Sequence, residues 1–424
     1  MKEAGLGPLQ DGARVVIIGG GPAGTAAAIA IKKLASGMGR QIQVTIVEEK
    51  QFAGEQFHNL CVGVLSPPIA EMIENDLGIP FPRHLNHTPI TGYVLHTGRR
   101  QIILDGAPEA EPSIALRRVQ FDAYMLEAAR QQGAEIVTAR VTDVEFHTDQ
   151  VVIYTNSAPL RADLVIGAFG SDEGAETFFE QAVGYRPPAA LYSIVTKYHP
   201  GEPAMQNFGQ RVHAFLPPNP FIEFGGITPK ADHLTINIAG AALNIHVMDD
   251  FIHLNAVRSA LPNLENAGRI KPKDLRYFKG RFPCGLAGKF WGDRYVMVGD
   301  AAGLVRAFKG KGVTSAVQTG VRAAQVILKE GISANAFKAY QAANHDIISD
   351  LPFGKAMRYF TITAARMGFM DIILRAAEQD TRLQQALFDA VSGRRSYQLI
   401  LQQALTFTSV RKVLAALARQ LAGA

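Results

Sequence analysis

Two cysteines and one tryptophan in 424 residues rule out several ordinary readings of a long chain. Two thiols build no disulfide framework, and Cys61 and Cys284 lack zinc-type spacing, which points to a reducing, intracellular (cytoplasmic) setting. His84 and His87 in "HLNH" have no third ligand nearby in sequence, so no metal site is expected. No apolar run approaches the about eighteen residues of a bilayer-spanning helix. The opening MKEAGLGPLQDGA lacks the apolar h-region of a signal peptide. Basic residues neither cluster in runs nor alternate with aromatics, so nucleic acid is not an expected partner. Internal repeats and low-complexity linkers are missing too.

What is present suits a globular protein of two or three domains, 47% hydrophobic and 19% charged. The net charge of +5 is unevenly spread, because residues 351–424 hold ten Lys/Arg against four Asp/Glu. That basic, apolar, helical tail either caps the fold or lies on an acidic membrane surface as a peripheral contact on its inner face.

"RVVII" at 14–18 reads as a buried parallel strand, "GGGPAG" as a turn, "TAAAIAIKKLA" as a helix and "QVTIVEE" at 43–49 as a second strand. Together they make one βαβ unit. "FDAYMLEAARQQGAEIV", "RADLVIGAFG" and "DRYVMVGDAAG" add a helix and further buried strands. "GYVLHTGRRQIIL" reads as a hairpin around Thr97-Gly98. Residues 185–280 carry strand-like pieces such as "FIEFGGI" and "HLTINIAG". From about residue 346 the periodicity is helical.

Gly19, Gly21 and Gly24 form G-x-G-x-x-G between strand and helix. The first glycine makes the tight turn, the second admits a pyrophosphate to the backbone, and the third lets helix and strand pack closely. Glu48 closes the next strand, where a carboxylate accepts hydrogen bonds from a ribose diol. The chain is expected to bind a dinucleotide.

The R-x-x-F-D stretch at Arg118–Asp122, "ADLVIGAFG" and "GDAAG" resemble the flavoprotein superfamily of aromatic hydroxylases and geranylgeranyl reductases. The resemblance implies FAD, held by Gly19, Gly21, Ala23, Gly24, Glu48, Cys61, Arg118, Val141, Asp300, Gly312 and Val313. In such proteins the Asp300 position accepts a hydrogen bond from the ribityl chain, and glycine-rich backbone like Gly310–Val313 lies along the flavin ring. No second G-x-G-x-x-G is present for a tightly held pyridine nucleotide. The implied fold is α/β: a discontinuous GxGxxG Rossmann-like FAD-binding domain (1–90, 118–184 and 281–345), an inserted mixed β-sheet substrate domain (91–117 and 185–280), and a C-terminal helical region (346–424).

Phe169-Gly170 stands where class A hydroxylases carry Asp-Gly, and one tryptophan, Trp291, does not supply the W-x-W-x-I-P of halogenases. "NLCVGVLSPP" matches the cysteine-containing flavin loop of the reductases, whereas "FIEFGGITP" replaces their Y-x-W-x-F-P. The chain is most similar to the reductase branch. That implies reduction of a carbon–carbon double bond in an apolar, isoprenoid or lipid-like substrate, by hydride from flavin N5, with an external donor (NAD(P)H, ferredoxin or similar). A monooxygenase using a C4a-hydroperoxide, and an electron-transfer protein serving quinone, are the alternatives. Cys61 is a redox or proton-donating thiol, or a small packing residue. Phe215, Phe221 and Phe224 line a tunnel or belong to the core. Lys309 and Lys311, where similar reductases have uncharged residues, either raise the flavin potential or reach solvent or an acidic head group.

Overall fold

The computed structural model describes residues 5–52, 61–85, 87–106, 110–262, 275–306 and 312–422. Its first strand, β1 (Arg14–Ile18), feeds the helix α1 (Pro22–Gly37) and returns to β2 (Gln43–Val47). β1 pairs in parallel with β2 on one side and with Leu164–Gly167 on the other. The full sheet runs Trp291–Gly292, Tyr295–Met297, Leu164–Gly167, β1, β2, Glu135–Val137. Strands covered on both faces cannot alternate polar with apolar, which is why "RVVII" and "LVIG" are continuous apolar runs. The helix Gly312–Lys329 packs along α1. A Cβ at Gly320 would lie 2.5 Å from the Ala23 carbonyl oxygen, so the two helices approach to backbone contact. Alanines fill α1 for the same reason: Ala26, Ala27 and Ala28 are fully buried.

A second, seven-stranded sheet is ordered Phe278–Pro283, Ala190–Tyr198, His233–Gly240, Phe224–Lys230, Arg211–Phe215, Gly92–His96, Gln101–Asp105. All its pairings are antiparallel except Arg211–Phe215 with Gly92–His96, so it is mixed. Thr97-Gly98 turns the hairpin of Gly92–His96 and Gln101–Asp105, as read from sequence. The sheet has two chemically different faces. On its back, Ile194, Ile227, Leu234, Ile236 and Ile238 pack on Met248 and Phe251 of the helix Ile245–Ile252. Its front carries Lys197, Thr228, Lys230, His233 and Thr235, since residues directly opposite in the ladder share a face.

A small sheet of Val64–Leu65, Ser113–Leu116 and His87–Ile90 sits between the two larger ones. The Ala231 N–H donates to Thr88 Oγ1 at 2.9 Å and pins the tip of a hairpin of the seven-stranded sheet there. The described residues beyond Asn344 are helical, as the periodicity implied. Arg358 of the helix His345–Arg366 makes a buried bidentate pair with Glu223, both bonds 2.6 Å, which fastens this region to the seven-stranded sheet. Breaking such a pair costs about 3–5 kcal/mol, because one charge stays buried alone.

Candidate active site

Four neighbouring parallel strands deliver the site. Asp300 follows Tyr295–Met297, Ala168 follows Leu164–Gly167, Gly19 follows β1 and Glu48 follows β2, all at carboxyl ends. Open α/β sheets bind ligands at this edge.

Each glycine of the motif has a distinct surrounding. Gly19 has φ +108°, and a Cβ there would sit 2.5 Å from the Ala168 carbonyl oxygen. At Gly24 a Cβ would fall 2.0 Å from the Gly19 carbonyl oxygen and 3.1 Å from Ile17. A Cβ at Gly21 meets nothing within 4 Å, although the residues on either side are packed. Gly21 caps α1 with extended backbone and no side-chain cap, and no acidic residue stands in the first turn. The positive end of the helix therefore faces open space with its amides uncommitted, a cradle that fits a pyrophosphate. Glu48 Oε2 accepts the Gly20 N–H and Oε1 the Lys50 N–H, each at 2.8 Å, which aims the carboxylate across the turn with lone pairs left for a ribose diol.

Asp300 rides on the short helical turn Gly299–Ala302. Gly299 has φ +60°, and a Cβ would come within 2.9 Å of the Ala23 side chain; its N–H donates to Thr319 Oγ1 at 3.0 Å. Ala23 is thus a spacer that sets the Asp300 turn against α1. Burial pushes the Asp300 carboxyl up to about 6, with the Arg118 guanidinium opposing. Arg118 is held by Asp122 through Nε at 3.0 Å and Nη2 at 3.1 Å. Burial works against the Arg118 charge, but Asp122, Cys61 and Asp300 outweigh it and hold the guanidinium firmly protonated. Arg118 therefore joins Cys61 to Asp300 in one electrostatic group. The Gly63 N–H donates to Cys61 Sγ at 3.3 Å, and Thr314 Oγ1 donates to the Ser66 carbonyl at 3.0 Å. Through Thr314 the cysteine loop leans on the helix that begins at Gly312-Val313.

Gly19, Gly21, Gly24, Glu48, Ala23, Arg118, Cys61, Asp300, Gly312 and Val313 lie along this connected edge. Val141 starts the strand Val141–Phe146 of a separate three-stranded sheet, opposite Thr155. No described contact ties it to Asp300 or Cys61. Lys309 and Lys311 lie outside the described residues. Arg306, just before them, donates to the Gly393 and Arg395 carbonyls, pairs with Asp350 at 3.3 Å and covers the Tyr397 ring. It holds the C-terminal helices. Phe169 stacks on Phe179 at 5.4 Å, so this position is part of the core. Phe215 is buried at 2% exposure, whereas Phe221 is 51% exposed and belongs to neither a tunnel nor the core.

Sequence reasoning passed over the polar front of the seven-stranded sheet. Lys230 is 5% exposed, His233 2% and Thr235 1%. The alternation H-L-T-I-N-I was legible, but alternation ordinarily places its polar half in water. Here that half is buried. His199, Asp232 and His233 also converge, with ligating atoms within 4.8 Å of one another, at the end of this face.

No protein-family model matches the chain. An uncharacterised protein of Methanosarcina barkeri is 25% identical over 332 residues, 75% of this chain and 76% of that one. The chloroplastic geranylgeranyl diphosphate reductase of Nicotiana tabacum is 25% identical over 338 residues, 74% of this chain and 66% of the tobacco protein. The mitochondrial electron transfer flavoprotein-ubiquinone oxidoreductase of Mus musculus is 31% identical over 163 residues, 36% of this chain and 25% of the mouse protein. Among solved structures, a flavoprotein/dehydrogenase from Cytophaga hutchinsonii superposes with a TM-score of 0.66 at 16% identity, covering 98% of this chain and 100% of that one. The fold is that of the flavoprotein oxidoreductases. A geranylgeranyl bacteriochlorophyll reductase-like protein from Thermoplasma acidophilum gives 0.60 at 18% identity, covering 97% and 96%. A p-nitrophenol 4-monooxygenase from Pseudomonas putida gives 0.64 at 15%, covering 91% and 100%.

Proposed function

We propose that this protein is an FAD-dependent oxidoreductase that reduces a carbon–carbon double bond of a lipid-like substrate, using electrons from an external donor. The observation that carries the reading is the cysteine loop. The loop that carries Cys61 accepts the Thr314 Oγ1–H at its Ser66 carbonyl, at the start of the helix that follows the Asp300 turn, where the ribityl end of a flavin extending from the α1 cradle would lie. When bound, FAD supplies the two-electron chemistry, a hydride delivered from its N5. The protein's part is to hold it: the α1 amides take the pyrophosphate, Glu48 the ribose and Asp300 the ribityl hydroxyls. The substrate sheet closes the far side, and Cys61 stands between them as a thiol able to give a proton.

The test is anaerobic. Protein reduced with dithionite, freed of excess and mixed with a polyprenyl substrate should yield a product two mass units heavier for each bond reduced. Incorporation of labelled dioxygen into an aerobic product, with no such saturation, would favour the monooxygenase instead. Rapid oxidation by quinone with neither product would favour electron transfer, which the partial match to a ubiquinone oxidoreductase supports.

A lipid-like substrate has to be met at a surface. Among the described residues no helix is long and apolar enough to cross a membrane. The last two turns of the helix His345–Arg366 and the turn after it expose Tyr359 at 66%, Phe360 at 59% and Met367 at 66%. Arg366, the last residue of that helix, donates to the Pro220 carbonyl, so exposed Phe221 adjoins this apolar knob. The basic excess of residues 351–424 and a bare aromatic group together favour anionic lipid. The protein is expected to sediment with anionic vesicles at low salt, and the double variant Phe360→Asp with Met367→Asp to stay largely in the supernatant. Equal behaviour of the two proteins would leave this turn without a lipid role.

A further inference from the structure

The front of the substrate sheet buries polar side chains, and two of their atoms, Thr235 Oγ1 and His233 Nε2, have no partner among the described residues. Lys230 stands beside them. It lies opposite His233 in the ladder, its ammonium pressed against the cysteine loop: a Cβ at Gly63 would be 2.9 Å from Nζ. Among the described residues it makes no hydrogen bond and no carboxylate reaches it. The charges that act on it are Cys61, Lys197, Arg118 and Arg117, three of them positive. Burial and these cations bring it down to about 8, Cys61 opposing. On the same face the Thr235 hydroxyl, between Thr228 and Lys197 in the ladder, is buried with no partner. So is His233 Nε2. The Asp232 carboxylate accepts the His233 Nδ1–H at 2.7 Å, which fixes that tautomer and leaves Nε2 as an acceptor. Burial pulls His233 down to about 4 despite Asp232, so the ring is neutral at pH 7.

Orphaned buried polar atoms are rare. Two of them on one face, beside a buried lysine that presses on the loop carrying Cys61 and meets no described carboxylate, need a common explanation. We infer that this face binds an oxyanion of the substrate, a carboxylate or a phosphate monoester, with Lys230 as its counter-charge. The Thr235 hydroxyl donates to a second oxygen, and His233 Nε2 accepts from a protonated oxygen or a hydroxyl beside the anionic one. The substrate is then polar at the end nearest Cys61 and apolar at the other. An entirely apolar ligand would leave both orphaned atoms unsatisfied and the Lys230 charge unmatched.

This rests on reading the space between the cysteine loop and the sheet as the substrate site, and does not depend on which reaction follows. Flavin-bound, full-length protein is titrated calorimetrically with inorganic phosphate, farnesyl phosphate, farnesoic acid and farnesol. At least one farnesyl anion should bind about tenfold or more tightly than farnesol, and which of the two does so assigns the oxyanion. Lys230→Met should erase the preference and Lys230→Arg should keep most of it. Thr235→Val, which removes only the orphan hydroxyl, should weaken anion binding while the flavin stays bound; it serves also if Lys230→Met fails to fold. In the wild type the preference should decline above pH 8 as Lys230 sheds its proton. Equal affinity for anion and alcohol, no anion binding at all, or a preference that survives in Lys230→Met or in Thr235→Val would overturn the assignment. Anion preference in a protein that reduces no double bond would reject the reductase reading and leave this site standing.

Discussion

Gly21→Val is expected to give a folded, colourless protein, and Gly24→Ala a yellow one only if it folds at all. The two positions are three residues apart on the same turn, yet their surroundings are opposite. At Gly21 the new side chain enters open space, its backbone is extended at φ −72° and ψ −177°, and the native helix has no side-chain cap to lose. Valine at an N-cap costs only about 1 kcal/mol relative to good caps. The same side chain fills the volume in which the α1 amides would meet the pyrophosphate, so flavin binding should be lost altogether. At Gly24 a methyl group would meet the Gly19 carbonyl oxygen at 2.0 Å, with Ile17 and Ala168 at 3.1 Å behind it. Backbone cannot yield there without parting α1 from β1, and overpacking of this kind costs about 1–3 kcal/mol or more. Circular dichroism, thermal unfolding and flavin absorbance on both variants make the comparison. A Gly21→Val protein that purifies yellow would remove the cradle from its assigned role.

How legible was this in the sequence? The cradle was, because each glycine answers a local steric demand that the strand–turn–helix context announces: a left-handed turn at Gly19, open space at Gly21, close packing at Gly24. Asp300 was read from the resemblance of "GDAAG" to a flavoprotein motif, and the structure adds a steric reason for the glycine before it, a φ of +60° against Ala23. The two faces of the seven-stranded sheet were not. "HLTINIAG" displays its period of two, but whether His233 and Thr235 face water depends on the cysteine loop and the small middle sheet, which come from residues 61–65 and 87–116. Burial imposed by distant chain leaves no local mark. Arg306 misleads in the opposite way. It sits in the "GDAAGLVRAFKGKGV" stretch that resembles a flavin loop, yet its bonds go to carbonyls at 393 and 395.

Asp300→Asn should stabilise the flavin-free protein at neutral pH while weakening its hold on FAD. The carboxyl retains some exposure at its edge but is mostly enclosed, and burial raises it from 3.8 to about 6 against the pull of Arg118. A carboxyl raised in the folded state is protonated there while the unfolded chain is already ionised. Stability is therefore undiminished below 3.8, declines as pH rises through the window, and the loss is complete above about 6. Asparagine is locked in the neutral form and does not incur that loss. The full shift corresponds to about 3 kcal/mol, and partial exposure reduces this to about 2 kcal/mol. The variant and the wild type should thus unfold alike near pH 4 and diverge by that amount at pH 7. The cost is borne in function, because an amide replaces a charged acceptor for the ribityl hydroxyls, a difference of about 1.5–3 kcal/mol in a hydrogen bond to a charged group. Denaturant unfolding of the apoprotein at pH 4 and pH 7, with flavin titration at pH 7, measures both halves. If the stability difference does not change with pH, Asp300 is not a buried carboxyl. If it does change but FAD binds equally well, Asp300 does not touch the cofactor, and the Gly299–Ala302 turn serves only to hold α1 against the helix Gly312–Lys329.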